Sequence, residues 1–256
     1  MIHKTAIIDK TAKIADDVKI GAYCIIEEDV SIASGCEIKS HVTIGKHTDI
    51  GKNNRIFQFS SIGEEPQDKK YQGEATRTLI GNNNTIREYV TINRGTIDDK
   101  GLTKIGNENW IMAYVHIAHD CVLHDNIIIA NGTTLAGHVH LQDYVILGGF
   151  TKLHQFCRIG AHAFTAMDTG FQKDLPPYIV AHGNPAKPRT INIEGLKRRG
   201  FSQAEISALK KAYRLLYKSD LRLQDALIEM QKLADEQNCV QIMIDFIKKS
   251  NRSIVR

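Results

Sequence analysis

Aliphatic residues recur at every sixth position along most of this chain. An α-helix would repeat its apolar residues about every 3.6 positions, and a single strand about every 2. The six-residue period instead predicts short strands joined by tight turns, with three strands making one 18-residue coil of a triangular prism. The ladder positions are Ile2, Ile8, Ile14, Ile20, Ile26, Ile32, Ile38, Ile44, Ile50, Ile56 and Ile62, then Ile80, Ile86 and Ile92, then Ile105, Ile111, Ile117, Leu123, Ile129, Leu135, Leu141, Leu147, Leu153 and Ile159.

The other positions of the hexad agree with this interpretation. A second small or apolar residue stands two positions before many ladder residues, as Val18, Val42 and Val115 do. The residue after the ladder position is often glycine, which suits either a positive φ or a close backbone approach. The pattern resembles the left-handed parallel β-helix, and it covers about residues 1–175.

Two interruptions of the ladder predict loops that leave the prism. The segment between Ile62 and Ile80 has the length of one coil but no ladder residue at its middle positions. Ile105 follows Ile92 by 13 residues, which shifts the phase by one and predicts a second loop. Long loops on a rigid repeat scaffold often carry function.

After Ile159 the hexad pattern stops, and helical periodicity appears beyond a proline-rich connector. Ser202 to Glu205 fits a capping box and predicts a helix to about Lys218. Two more helices are predicted at about 223–237 and 240–249. The fold class is therefore mainly β, with a parallel β-helix over 1–190 and a small α-helical domain over 191–256 that covers the end of the solenoid.

Composition and charge exclude several classes of protein. No apolar run approaches the ~20 residues that span a bilayer, and no signal peptide opens the chain. The formal charge is only +4, so an anionic partner needs a local basic patch, and no nucleic acid is expected. Four of the five cysteines fall on the second apolar slot of the hexad, which favours reduced core residues in the cytoplasm over disulfides.

The candidate chemistry follows from the stacking of coils. With no phase break between 105 and 159, Gly137 and then Gln155 lie above His119, and His138 lies above Asp120. His119 is a plausible general base, oriented by Asp120 or by a carbonyl, with the Gly137 N–H as an oxyanion donor. Because its side chain points away from the core, we expect His119→Ala to leave the fold intact.

Other interpretations of these histidines stay open at this point. Isolated outward histidines on a solenoid are usually solvated, and His124, His140 and His162 are interpreted as surface residues. A histidine cluster can also bind zinc, as in the γ-class carbonic anhydrases, which are β-helical. A third possibility is a scaffold without enzymatic activity.

Several ordered motifs are similar to those of the UDP-N-acetylglucosamine O-acyltransferases of lipid A biosynthesis, and the similarity spans the whole chain. The motifs are Gln67-Asp68-x-Lys70-Tyr71, His116-Ile-Ala-His119-Asp120-Cys121, Thr134-Leu-Ala-Gly137-His138, His154-Gln155-Phe156-Cys157, and the segment from Ile191 to Ser202.

The resemblance implies a function and a set of roles. In that family a sugar 3-hydroxyl attacks the thioester of an (R)-3-hydroxyacyl chain on acyl carrier protein, without a metal or cofactor, in a homotrimer with sites between subunits. His119 would be the base, with Gly137 as oxyanion donor. Substrate contacts are implied for Gln67, Asp68, Lys70, His116, His138, His154 and Gln155, and nucleotide and phosphate contacts for Asn192, Glu194, Arg198 and Arg199. The residues leave open whether the acceptor carries a 3-hydroxyl or a 3-amino group.

The resemblance also bears on chain length and on the carrier protein. Met167 stands where long-chain members have glycine, and it either fills the space of several methylene groups in an acyl groove or only packs into the last coil. Pro185 favours the second interpretation, because it replaces a histidine proposed to end the groove and can reshape it. From the first interpretation we expect a chain of roughly ten to twelve carbons, since each coil adds about 4.8 Å.

Lys210, Arg214 and Lys218 recur on one helix face, which is either a solvated polar face or a docking stripe for acyl carrier protein.

Overall fold

The computed structural model describes residues 1–256. Its strands, in chain order, are β1 (Ile7–Ile8), β2 (Lys13–Ile14), β3 (Lys19–Ile20), β4 (Ile25–Ile26), β5 (Ser31–Ile32), β6 (Glu37–Ile38), β7 (Thr43–Ile44), β8 (Thr48–Ile50), β9 (Arg55–Ile56), β10 (Ser61–Glu64), β11 (Arg77–Ile80), β12 (Thr85–Ile86), β13 (Thr91–Asn93), β14 (Leu102–Ile105), β15 (Trp110–Ile111), β16 (His116–Ile117), β17 (Val122–Leu123), β18 (Ile128–Ile129), β19 (Thr134–Leu135), β20 (His140–Leu141), β21 (Ile146–Leu147), β22 (Lys152–Leu153), β23 (Arg158–Ile159), β24 (Phe164–Thr165), β25 (Gly170–Phe171), β26 (Ile179–His182) and β27 (Lys187–Ile191).

The strands form three parallel sheets, one on each face of the prism. Sheet 1 runs from β1 through every third strand to β25, sheet 2 runs from β2 to β23 in the same way, and sheet 3 begins at β3 and reaches β24, β26 and β27. The register places ladder residue above ladder residue, as in Ile117 above Ile92 and Leu135 above Ile117. The result is the expected left-handed parallel β-helix.

The ladder residues fill the interior of the prism. Ile56, Ile86 and Ile111 have no exposed surface, and the second apolar slot is buried with them. This interior is continuous with the helical region, because one apolar cluster includes both Leu153 and Leu209. The expected helical cover on the solenoid therefore packs directly against its core.

Apart from Gly63, which has a φ of +77°, the glycines that follow a ladder residue serve close approach and not a positive φ. A Cβ at Gly45 would lie 2.5 Å from the carbonyl oxygen of Gly63 in the next coil. The positive φ falls two residues after the glycine slot, on residues such as Tyr23 and Asp120. Of the two reasons suggested by the sequence, close packing of consecutive coils is the one that applies.

Both predicted loops leave the prism, at 65–76 between β10 and β11 and at 94–101 between β13 and β14. Four helices follow the solenoid: α1 (Ile193–Arg198), α2 (Gln203–Tyr217), α3 (Leu223–Ala234) and α4 (Asn238–Lys248). The capping box at Ser202 and Glu205 is present. Helix α1 was missed by the sequence analysis, although Asn192 caps it by accepting a hydrogen bond from the Gly195 N–H.

The last strand and the chain terminus close the end of the prism. Strand β27 turns back antiparallel on β26, and it ends two residues before α1 begins. The C-terminal segment then returns, because Ile254 forms a β-bridge with Asp174. No helix is both long enough and apolar enough to cross a membrane. All five cysteines are buried and unpaired, as the hexad positions of four of them predict, and the fifth, Cys239, lies in α4.

Candidate active site

The corner between sheets 1 and 2 carries the stacked residues that the repeat predicts. We call this corner the histidine edge: His119–Asp120, Gly137–His138 and Gln155–Phe156 on three successive coils. The His138 N–H donates to the His119 carbonyl at 3.0 Å, and the Phe156 N–H donates to the Gly137 carbonyl at 3.1 Å. The predicted stacking is therefore confirmed.

His119 lies outside the prism but is not solvated. Only 7% of the residue is exposed, because its imidazole packs over the backbone of Gly137. A Cβ on Gly137 would lie 2.6 Å from the ring Cε1 and 2.8 Å from Nε2, so only glycine fits there. The ring points away from the core, as expected, but into a covered recess.

The imidazole is oriented by the carboxylate of Asp120. Nδ1 of His119 lies 2.9 Å from Oδ2 of Asp120, which assigns the proton of the neutral ring to Nδ1 and leaves Nε2 free to accept one. Burial alone would raise the pKa of Asp120, but the hydrogen bonds from His119 and Thr96 outweigh it and hold that pKa below its usual value. Asp120 therefore stays a carboxylate, and its negative charge can stabilise the imidazolium that forms when Nε2 accepts a proton.

The Gly137 N–H is available as an oxyanion donor. Its neighbours Ala136 and His138 both donate to carbonyls of adjacent coils, whereas the Gly137 N–H takes part in no hydrogen bond within the chain. This free donor lies beside the imidazole of His119. A carbonyl oxygen entering here could gain negative charge against the free N–H.

His138 lies at the other side of Asp120. Its Nδ1 is 3.5 Å from Asp99, and its Nε2 is 3.8 Å from Asp120. The rings of His119 and His138 meet edge to face at 5.2 Å. Atoms of His119, Asp120 and His138 that could ligate a metal lie within 4.8 Å of one another, but the two closest already share a hydrogen bond.

The loop 65–76 brings a carboxylate and an amine to the histidine edge. Arg94 is buried and fastens this loop: its guanidinium donates to the Tyr71 hydroxyl at 3.1 Å, to the Gly63 carbonyl at 2.9 Å and to Glu65 at 3.3 Å. Lys70 reaches Asp98 of the second loop at 3.5 Å. The two predicted loops are thus bound to each other over the site.

A cavity of about 820 Å³ opens between these loops and the histidine edge. Its lining includes five of the residues singled out from the sequence, namely Asp68, Lys70, His119, His138 and Gln155. It also includes residues that the sequence analysis missed, among them Asp98, Asp99, His140, Arg158 and Arg252. His140 and Arg158 lie on adjacent strands of sheet 2, 18 residues apart, so the repeat predicts that they are neighbours. The repeat does not predict that the C-terminal segment returns and brings Arg252 to the cavity.

Three other predicted residues lie outside the lining of this cavity. His116 is half-buried on sheet 1, where its Nδ1 lies 2.8 Å from the Thr91 hydroxyl, and burial followed by the charge of His119 lowers its pKa. His154 and Gln67 are exposed. Within one chain the structure therefore gathers only part of the expected sugar site.

The predicted nucleotide residues lie on a different corner of the prism. Asn192 donates to the His162 carbonyl at 3.0 Å, and the Arg199 guanidinium lies 4.4 Å from the centre of the Tyr144 ring. Tyr144 and His162 belong to the corner between sheets 2 and 3, which we call the arginine edge. Glu194, Arg198 and Arg199 are exposed there, and a second cavity of about 410 Å³ lies beside Tyr144 and His162.

Two histidines interpreted as surface residues are half-buried. His162 stacks between Tyr144 and Tyr178, and burial, with the nearby charge of Arg199, lowers its pKa to about 4. Burial also lowers the pKa of His140, with Arg158 adding to the effect. His124 is half-exposed, closer to expectation. The sequence analysis missed the burial because it arises from neighbouring coils and from the helical region.

Met167 lies on the third corner, between sheets 3 and 1, and 71% of it is exposed. This corner also carries a stack of aromatic rings formed by Tyr23, His41, Phe59, Tyr89 and Tyr114, with centroids about 5 Å apart. Within one chain, Met167 and His119 therefore stand on different edges.

Known proteins resemble this chain along its whole length. A model of hexapeptide transferase repeats matches residues 11–46 and 102–137, and a model described as UDP-N-acetylglucosamine O-acyltransferase domain 2 matches 174–255. Acyl-[acyl-carrier-protein]–UDP-N-acetylglucosamine O-acyltransferases of Herminiimonas arsenicoxydans and Thiobacillus denitrificans are 58% and 56% identical, with 100% of this chain and 99% of each relative covered. The solved UDP-N-acetylglucosamine acyltransferase of Francisella novicida superposes with a TM-score of 0.98 at 46% identity, over 100% of this chain and 94% of that one.

Proposed function

This chain belongs to the UDP-N-acetylglucosamine O-acyltransferase family, and from that premise we propose that the recess at His119 is where its acyl transfer takes place. The protein is an acyltransferase of lipid A biosynthesis, with acyl carrier protein carrying the donor and UDP-N-acetylglucosamine as acceptor. Similarity over the full length does not favour the two alternatives, a zinc-dependent carbonic anhydrase and a scaffold without activity.

The proposed reaction begins with proton removal from the acceptor. Nε2 of His119 takes the proton of the sugar 3-hydroxyl while Nδ1 stays hydrogen-bonded to Asp120. The sugar oxygen then forms a bond to the thioester carbon, and the Gly137 N–H stabilises the resulting oxyanion. Collapse breaks the C–S bond, and the imidazolium returns its proton to the departing thiolate. No metal is needed, because the thiolate is already a good leaving group.

The observation that carries this mechanism is the free Nε2 of His119 beside the free N–H of Gly137. We expect His119→Ala to remove transfer, measured by mass spectrometry of the product formed from UDP-N-acetylglucosamine and a 3-hydroxyacyl carrier protein. His47→Ala is a matched control, since Nδ1 of His47 lies 2.9 Å from the carboxylate of its own aspartate, Asp29, far along the chain from the site. Near-normal turnover by a folded His119→Ala variant would overturn the assignment.

The remaining substrate roles are proposals of the same kind. Asp68, Lys70, His138 and Gln155 hold the sugar from the cavity lining, and the exposed Gln67 and His154, with the half-buried His116, complete the sugar site from its margins. The products of parallel reactions with the 3-hydroxyl and 3-amino acceptors, compared by mass spectrometry, decide between these two acceptors.

A homotrimer brings the separated parts together. The histidine edge and the arginine edge are neighbouring corners of one prism, so in one chain they point in different directions. Packing around a threefold axis would set the arginine edge of one subunit, with Asn192, Glu194, Arg198 and Arg199, against the histidine edge of the next.

Five unpaired cysteines fit the proposed place of this enzyme in the cytoplasm.

Subunit complementation tests this shared site. His119→Ala and Arg199→Ala homotrimers should each lack activity, whereas co-expression of the two variants should restore part of it, because some interfaces then pair two intact edges. Sedimentation should give three times the chain mass. An active site complete within one chain would give no recovery in the mixed assembly.

A further inference from the structure

We propose that Thr96 is a positioning residue for the His119–Asp120 pair, acting through the carboxylate of Asp120. The inference rests on the proposed function, since it concerns how the base of that reaction is held. Thr96 belongs to the loop 94–101, whose length the hexad pattern does not explain, and it lies 24 residues before the carboxylate that it contacts.

The contacts between Thr96 and Asp120 are short and numerous. The Thr96 hydroxyl donates to Oδ2 of Asp120 at 2.6 Å, and the Thr96 backbone N–H lies 2.9 Å from Oδ1 and 3.1 Å from Oδ2. Oδ2 is also the oxygen that accepts from Nδ1 of His119. Thr96 therefore holds both oxygens of the carboxylate that orients the base.

The other side of Asp120 is anchored by strand β14, which directly follows the loop 94–101. Asp120 has a φ of +59°, and its backbone N–H donates to the Thr103 hydroxyl at 2.8 Å. Thr96 accepts hydrogen bonds from the Gly101 and Asp99 N–H groups, which keeps the loop compact. Asp120 is thus enclosed between two threonines, Thr96 of the loop 94–101 and Thr103 of β14.

Water cannot replace the Thr96 hydroxyl easily. Thr96 is 5% exposed and Asp120 is 1% exposed. Hydrogen bonds to charged groups are among the stronger ones in proteins. A buried carboxylate that loses one of its donors therefore loses a strong interaction that water cannot supply in its place. Without the hydroxyl, Asp120 can rotate, and the imidazole loses the orientation that directs Nε2 at the acceptor.

The test compares Thr96→Val, which keeps the shape and the backbone N–H, with Thr96→Ser, which keeps the hydroxyl. We expect Thr96→Val to lower kcat by roughly tenfold or more. The KM for UDP-N-acetylglucosamine should change little, since Thr96 is not in the lining of the main cavity. Thr96→Ser should recover most of the lost kcat.

The pH profile separates positioning from a general loss of structure. In Thr96→Val, no hydroxyl donates to the carboxylate of Asp120, so the carboxylate should stabilise the imidazolium of His119 more strongly. The acidic limb of the kcat profile should therefore move to higher pH. The other titratable groups that face the pair are His116, His138 and Asp99, with Asp68 and Lys70 across the cavity, and all are unchanged in the variant. Thr151→Val is the control, because its buried hydroxyl donates to the Gly148 carbonyl, away from Asp120.

The outcomes are distinguishable. A wild-type protein without transfer activity would refute the proposed function, whereas an active wild type with unchanged kcat and pH profile in Thr96→Val would refute the role of Thr96 alone. If Thr96→Val does not fold, Thr96→Ser still decides: kcat and a pH profile near the wild-type values support the hydroxyl, and a kcat at least tenfold lower in a folded protein overturns it.

Discussion

Single residues at the histidine edge have very little space around them. Gly137 must be glycine because an imidazole occupies the position of its missing side chain. The carboxylate of Asp120 is fully covered and accepts from two residues. Small changes here should therefore affect the chemistry more than the stability of the fold, because the fold is stabilised mainly by the buried ladder residues.

Gly137→Ala should lower kcat by about a hundredfold or more. The added methyl group would lie 2.6 Å from Cε1 of His119 and displace the ring from its place beside the Gly137 N–H. Steady-state kinetics measure the effect. Gly149→Ala occupies the same slot on another edge, with 3.4 Å to the nearest atom, and serves as the fold control. Both variants should melt close to the wild-type temperature; unchanged kcat in Gly137→Ala would contradict the assignment.

His162 should make stability fall in acid. Its folded pKa of about 4 lies below the usual 6.5, so the unfolded chain binds the proton more tightly. The contribution of the neutral ring to the free energy of unfolding is complete above about pH 6.5 and is lost as the pH falls towards 4. The loss is about 2 kcal/mol after the partial exposure of the ring is discounted. His162→Phe should lose less stability between pH 7 and 4.5, as measured by denaturant midpoints.

The Phe substitution keeps the stack with Tyr144 and Tyr178. His124→Phe is the control, since 51% of the His124 side chain is exposed. Equal acid sensitivity of the wild-type and His162→Phe proteins would show that another group controls this range.

At the scale of elements, the loops and helices supply functional side chains that the repeating strands do not. The strands place residues at regular positions along the prism, but Asp68, Lys70 and Thr96 reach the site only because two loops bend back over it. Helix α2 adds an exposed basic face, where Lys210, Arg214 and Lys218 form no ion pairs within the chain.

Arg94→Ala should raise the KM for UDP-N-acetylglucosamine by roughly tenfold and change kcat less. Arg94 has three partners that fix the loop bearing Asp68 and Lys70, and their loss frees that loop. Its ionic partner Glu65 is 61% exposed, so no buried carboxylate is left unpaired. Arg87→Ala removes a comparable but half-exposed arginine as a control. An unchanged KM would show that the loop is held by other contacts.

Charge reversal at Lys210 and Arg214 should raise the KM for the acyl carrier protein, most strongly at low salt. The exposed face of α2 is unpaired, so it can attract an acidic partner over distances that salt screens. Kinetics at two ionic strengths measure this, with the KM for UDP-N-acetylglucosamine as internal control. If neither KM moves, the face is simply solvated and the carrier docks elsewhere.

At the scale of the whole molecule, the three edges of the prism have different roles. The histidine edge holds the proposed base, the arginine edge the proposed nucleotide residues, and the third edge Met167 and the aromatic stack. A single chain exposes all three, which is why the proposed homotrimer, with the arginine edge of one subunit against the histidine edge of the next, would complete the site and its acyl groove.

Met167→Gly should move the preferred donor to longer acyl chains. Met167 is 71% exposed in one chain, so its side chain is free to stand in a groove formed with a neighbour. Removing it opens space for several methylene groups, since each coil of about 4.8 Å accommodates roughly four. A series of 3-hydroxyacyl carrier proteins measures the optimum, expected at roughly ten to twelve carbons in the wild type. A wild-type optimum of about fourteen or more, unmoved by the substitution, would contradict this groove model.

The sequence by itself determined the coils. A six-residue period fixes the backbone locally, hexad by hexad, and arithmetic on it places Gly137 above His119 and His138 above Asp120. It also determined the family, through motifs that lie in order along the chain. The tertiary structure alone decided that His119 is covered, that Thr96 holds Asp120, that Arg94 fastens the first loop, and that Arg199 stands on another edge. The contacts of Thr96 and Arg94 come from a non-repeating loop, and the place of Arg199 comes from the helical region; the paths of both depend on contacts between residues far apart in sequence.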